Sequence, residues 1–150
     1  MVVDFAIKRA KAMHLATVTW SAAWSDKRTR AEFEGLARWL AQRKVKGGRW
    51  VFESGNGERR FTVGIEVPAK VKGEGRVRVR SRPASRVATV TFDPEVVSPR
   101  VVYHGLTDWL RWRKKDKTIK SVGSYREVYS GNPWTNPKAW AGTEIQVVVR

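Results

Sequence analysis

Apolar and polar residues alternate in short runs along this chain, broken twice by a longer stretch of helical period. Phe5-Ala6-Ile7 begins the first run. Ala16, Val18 and Trp20 then alternate with Thr17 and Thr19, the two-residue period of a strand. Phe33, Leu36, Ala37 and Leu40 follow at helical spacing. Thr29-Arg30-Ala31-Glu32 before them fits a capping box, and Gly47-Gly48 is expected to stop the helix. Trp50 to Glu53 and Arg60 to Pro68 read as a hairpin joined across Ser54-Gly55-Asn56-Gly57. The order then repeats. Arg76 to Arg82 and Ala88 to Phe92 have strand period, and Ser98-Pro99 starts a helix with proline at its first position. Val102, Leu106, Trp109, Leu110 and Arg113 trace one helical stripe, and Ser124 to Tyr129 and Thr143 to Val149 form a closing hairpin.

The two passages are copies of one unit. Ala16-Thr17-Val18-Thr19-Trp20 returns as Ala88-Thr89-Val90-Thr91-Phe92, at a spacing of 72 residues. Gly35-Leu36-Ala37-Arg38-Trp39-Leu40 returns as Gly105-Leu106-Thr107-Asp108-Trp109-Leu110 at 70, and Phe52-Glu53-Ser54-Gly55 as Val128-Tyr129-Ser130-Gly131 at 76. A drifting spacing is what loop insertions and deletions leave behind. The expected fold is α+β: a single domain of two strand-helix-strand-strand units, about 3–68 and 76–149, with 70–75 as linker. They are related by a pseudo-twofold axis, with antiparallel sheets, helices outside and a central cleft, a common place for a ligand. The connection from Ser130 to Trp140 is long for a hairpin and holds two prolines and two tryptophans, as functional loops do.

Composition narrows the classes. The 150 residues include no cysteine, which excludes disulfides, thiolate metal sites and cysteine nucleophiles. No apolar run approaches the roughly 18 residues of a membrane span, and the start of the chain lacks a signal-peptide pattern. A cytoplasmic protein, with no membrane partner, is expected. The net charge is +16, spread over both halves: 15 basic and 8 acidic residues in 1–75, 15 and 6 in 76–150. One reading is attraction to nucleic acid; the other is a solvated Arg/Lys surface of a basic or heat-adapted, thermophile-like protein, which two methionines and no cysteine also fit. Adsorption to DNA or RNA at low salt is expected of either. His14 and His104, far apart and without a carboxylate pair, make no metal site, and no phosphate loop follows a strand. No cofactor or metal is expected.

The order of elements resembles the gyrase-inhibitor-like domain, the effector-binding domain of AraC-type and multidrug-responsive regulators. Glu127-Val128-Tyr129-Ser130-Gly131-Asn132-Pro133 and Thr143-Glu144-Ile145-Gln146-Val147 carry the resemblance. Tyr103-His104-Gly105-Leu106, and Phe61 to Pro68 with its closing Val-Pro, add to it. It spans residues 3 to 149 and implies the stand-alone form of the family. It also implies a cleft for amphipathic aromatic compounds, often cationic. Some stand-alone members hydrolyse cyclopropane-containing compounds with a pocket carboxylate and aromatic residues. The resemblance points to Glu144 as that carboxylate. Strand alternation sets Glu144 opposite Ile145; if Ile145 faces the helix-covered core, Glu144 faces the other side, where the cleft is expected. The alternative is an exposed glutamate paired with a basic residue. Gly64 is expected at the equivalent place in the first copy, giving one working and one structural half. Tyr129, Trp134 and Trp140 are the expected aromatic walls, with Trp20 and Trp24 on the far side; core packing is the alternative for each. Trp39, Trp50 and Trp109 read as core.

The expected function is therefore a small-molecule-binding module, a sensor or sequestering protein, acting as monomer or homodimer. A hydrolase using Glu144 and Tyr129 on the same scaffold is the alternative, and a basic nucleic-acid-binding protein is the second.

Overall fold

The computed structural model describes residues 3–54 and 59–150. The expected turn at Ser54-Gly55-Asn56-Gly57 lies, from Gly55 onward, outside them. Eight strands and three helices follow in the order β1 (Ala6–Ala10), β2 (Met13–Ser21), α1 (Asp26–Gln42), β3 (Trp50–Ser54), β4 (Arg60–Glu66), β5 (Arg78–Arg82), β6 (Ser85–Phe92), α2 (Pro99–Lys115), β7 (Val122–Tyr129), α3 (Pro137–Ala141) and β8 (Thr143–Val149). Among the described residues, no helix is long and apolar enough to cross a membrane.

All eight strands form one curled antiparallel sheet, a half-barrel, in the order β1-β6-β8-β7-β3-β4-β2-β5. The order is a palindrome about the β7/β3 pair once each strand is matched to its copy. Its two outer strands are exchanged. β1 lies on β6 of the second copy, and β5 on β2 of the first, with registers that match residue for residue under the 72-residue shift: Ala6↔Thr89 and Ala10↔Ser85, against Thr17↔Arg78 and Met13↔Arg82. Each spatial half therefore contains strands from both copies.

Both long helices cover the same face. Phe33, Leu36 and Leu40 of α1 pack on Ala16, Val18, Trp20, Val63 and Ile65. Val102, Leu106 and Leu110 of α2 pack on Ala88, Val90, Ile145 and Val147. The other face has no helix over it, yet the curl buries Met13, Leu15, Val51 and Val128 there.

The helix signals need two corrections. α1 starts at Asp26, with Ser25 as its cap accepting from the Arg28 N–H at 3.1 Å. Thr29 lies buried inside the helix, its hydroxyl donating to the Ser25 carbonyl, so the capping box at 29–32 does not form. α1 stops at Gln42, where Arg43 ends it and Lys44 turns at φ 54°, ahead of Gly47-Gly48. Gly47 instead allows a close crossing: a Cβ there would lie 2.6 Å from Ile65 Cγ2. α2 begins at Pro99 as expected and ends with Arg113, Lys114 and Lys115, cations suited to a helix C-terminus. Trp50 is buried; Trp39 and Trp109 are half-buried, under the guanidinium groups of Arg43 and Arg113.

Phe33 is fully buried and stacks on Trp50 with ring centroids 5.0 Å apart. Phe33→Ala should cost about 3–5 kcal/mol in urea unfolding. Trp112→Ala, at a position 63% exposed, should change stability by at most about 0.5 kcal/mol. Equal losses at the two positions would contradict this core.

Candidate functional site

A cleft of about 530 Å³ opens on the helix-covered face, between the N-terminal ends of α1 and α2 and over the central β3/β7 pair. α1 reaches only the Trp50 end of that pair, through Phe33, and beyond it the side chains of the pair form the floor. On β7 the outward period brings Tyr125, Glu127 and Tyr129 to one face, and the register sets Phe52 of β3 directly across from Glu127. Asp26, Thr29 and Phe33 come from α1, Glu95 from the loop between β6 and α2, Pro99 from the first position of α2, and Trp24 from the end of the loop after β2. Pro133, Trp134 and Trp140 come from the segment between β7 and β8, which contains the short α3.

Glu127 is the centre of the cleft. It accepts the Tyr103 hydroxyl on Oε1 at 2.6 Å and the Tyr129 hydroxyl on Oε2. Burial, then the charge of Glu127 beside them, pushes both phenols far above the ordinary tyrosine value, so both stay protonated and donate. The carboxylate is thus fixed by a hydroxyl on each oxygen. Around it stand aromatic faces: Trp24 lies edge-on to Phe52 at 5.5 Å, and Trp134 leans on Phe33 at 5.7 Å. Trp140 donates its indole N–H to Glu95 at 2.8 Å.

The registers also show where the two copies differ. Val18 pairs with Val63, and its copy Val90 pairs with Ile145. Val63 then pairs with Phe52, and Ile145 with Glu127. Phe52 and Glu127 are therefore equivalent positions that face each other across the pseudo-twofold axis, so the expected match of Phe52 to Val128 is one residue out of register. The helices differ likewise: at the 70-residue shift, Phe33 of α1 corresponds to Tyr103 of α2. One copy supplies a carboxylate and a hydroxyl where the other supplies two phenyl rings.

The sequence-predicted residues divide. Tyr129, Trp134, Trp140 and Trp24 line this cleft. Glu144 does not. It does face away from Ile145, but the cleft lies on Ile145's side of the sheet, in the gap between the helices. Glu144 accepts from Thr89 at 2.6 Å and Gln146 at 2.9 Å and pairs with Lys8 at 2.8 Å. Burial raises its pKa, but those three partners outweigh it and hold the carboxyl below the ordinary carboxylate range. A Glu144–Tyr129 pair is thus excluded by the pleat. The copy of Glu144 is Thr62, not Gly64: Thr19 pairs with Thr62 and its copy Thr91 with Glu144. Trp20 is core, 7% exposed and packed on Phe61. Glu127, Tyr103, Phe33 and Phe52 were missed. For Glu127 the signal was present, since a residue two before Tyr129 on a strand shares its face.

No sequence-family model matches the chain, and no curated protein matches it. Solved structures do. The EcmrR C-terminal domain superposes with a TM-score of 0.71 at 17% identity, over 100% of this chain and 99% of that one. A hydrolase from Listeria innocua gives 0.61 at 12% identity, over 97% and 91%. SAV2435, solved bound to tetraphenylphosphonium, gives 0.51 at 10% identity, over 98% and 94%. At these identities the likeness is one of fold: α+β, with a curled antiparallel eight-stranded sheet.

Because folding raises the pKa of Tyr103 and Tyr129, their contribution to stability is complete below pH 10, the ordinary tyrosine value, and falls as pH rises beyond it. In an ultraviolet titration, Tyr103 and Tyr129 should stay un-ionised past pH 10 until the chain unfolds. Ionisation of both in the folded protein near pH 10 would contradict the clamp on Glu127.

Proposed function

We propose that the protein binds amphipathic aromatic cations in this cleft and acts as a sensor or sequestering module. One observation carries the reading: in a chain of net charge +16, the ionisable cleft-lining side chains among the described residues, other than Tyr129, are Asp26, Glu95 and Glu127, all acidic. A random draw from this composition would favour lysine and arginine. A carboxylate ringed by indole and phenyl faces suits a delocalised cation, which gains from both the charge and the ring quadrupoles. The volume is that of a pocket for a drug-sized ligand. The complex of SAV2435 with tetraphenylphosphonium supports the same class of ligand. The binding residues we assign are Glu127, Tyr103, Tyr129, Trp24, Trp134 and Trp140, in a single domain of two copies, about 3–68 and 76–149.

A hydrolase on this scaffold would have to use Glu127 with Tyr129, the carboxylate and phenol that do meet. The likeness in fold to a hydrolase favours that second reading. Binding is preferred because both oxygens of Glu127 already accept hydroxyls and both phenols are held protonated, which leaves no activated nucleophile.

Tetraphenylphosphonium should quench tryptophan fluorescence saturably. Glu127→Gln should weaken it by about 1–3 kcal/mol, the loss of a desolvated charge partner. Glu144→Gln, on the other face, should leave the affinity unchanged. The reverse pattern, or no saturable quenching, would reject the assignment.

A further inference from the structure

We propose that the opposite face of the sheet holds a second site, for a compact tetrahedral oxyanion of the phosphate class, centred on Arg126. Arg126 and Glu127 are neighbours on β7, so the pleat sends one to each face. On the Arg126 side lies a recess of about 220 Å³, lined by Lys8, Arg9, Lys11, Arg49, Arg126 and Gln146 with Ala10 and Met13, and by no carboxylate among the described residues. The cleft and this recess, on opposite faces of one sheet, thus have linings of opposite charge.

A cluster of cations alone is no site, since most such groups face water or a carboxylate. Lys8 has Glu144 at 2.8 Å and Arg49 has Glu66 at 2.6 Å. Arg126 differs. It is 6% exposed, and its Nε donates to Gln146 Oε1 at 2.7 Å, an amide that offers no charge. Its Nη2 is buried with no hydrogen-bond partner among the described residues. Glu53, its register partner on β3, is held bidentately by Arg82 at 2.9 and 2.7 Å. Glu144 is engaged by Lys8, Thr89 and Gln146.

Burial weighs against the charge of Arg126; Glu53 and Glu144 favour it, Arg49 and Arg82 oppose it, and the net effect is to lower its pKa. A guanidinium does not shed its proton in a protein, so an uncompensated one is relieved by an anion. The free donor, the fork geometry and the surrounding cations match a phosphate oxygen array. The recess has room for a phosphate or the head of a small phosphomonoester. A base stack would exceed it.

The test uses the whole protein and inorganic phosphate, by calorimetry and thermal shift, with sodium chloride holding ionic strength constant. Phosphate should bind saturably and raise the melting temperature above the chloride control. Arg126→Leu should weaken it about tenfold or more, the loss of a charge-assisted bond. Should Arg126→Leu fail to fold, Lys11→Gln, exposed beside the recess, should weaken phosphate several-fold with unchanged circular dichroism. Lys115→Gln on α2 removes the same unit of charge far along the chain and should leave the affinity intact. The proposal is overturned by unchanged affinity in Arg126→Leu or Lys11→Gln, or by an equal loss in Lys115→Gln. It is also overturned by single-stranded DNA occupying the Arg126 face while phosphate neither binds nor competes. That last outcome would mark a nucleic-acid surface.

Discussion

The pairing of β3 with β7 is the contact on which the rest of the structure depends. It joins the two halves of the sheet, and it sets Phe52 across from Glu127 on the pseudo-twofold axis. A two-residue slip of this register would still bury Val51 and Val128 beneath the curl. It would carry Glu127 away from the gap between the helices and from the Tyr103 hydroxyl on α2. The cleft exists because two helices of 17 residues each cover their own half and leave the seam beyond Trp50 uncovered. Twofold assembly thus makes the space, and departure from twofold symmetry makes its chemistry. The carboxylate and its clamping phenol come from one copy, and the equivalent positions of the other hold Phe52 and Phe33.

The same seam separates charge. Glu127 and Arg126 are adjacent in sequence and lie on opposite faces, each at the wall of a recess whose other charged lining residues share its sign. Asp26 and Glu95 accompany the first, and Lys8, Arg9, Lys11 and Arg49 the second. The net charge of +16 therefore describes the outside of the molecule and its curled face, and misdescribes the cleft. Long-range attraction follows the sum of charges, whereas a ligand inside a cleft of low dielectric responds to the few groups within several ångströms.

Much of the fold was legible because its signals are local. Strand period marked β2, β6 and β8, helical spacing marked α1 and α2, and the drifting repeat pointed to the axis. The exchange of β1 and β5 was not legible, because no short-range pattern records which distant strand an edge strand will join. Ser25 escaped because a capping-box match four residues later obscured a simpler cap. At the site, relative facing was readable and absolute facing was not. Alternation correctly set Glu144 against Ile145. Which face carries the cleft depends on how much sheet two helices leave bare, a quantity of packing. Once Tyr129 is taken as a wall, the same alternation selects Glu127.

On the proposed function, local acidity inside the cleft overrides the net charge of the chain. Tetraphenylphosphonium and tetraphenylborate test it most directly, being nearly the same in shape and opposite in charge. Their dissociation constants should be measured by calorimetry at physiological ionic strength. The cation should bind at least tenfold more tightly than the anion, a difference of about 1.4 kcal/mol, and Glu127→Gln should narrow the gap. Equal affinities, or tighter binding of the borate to the cleft, would contradict the account.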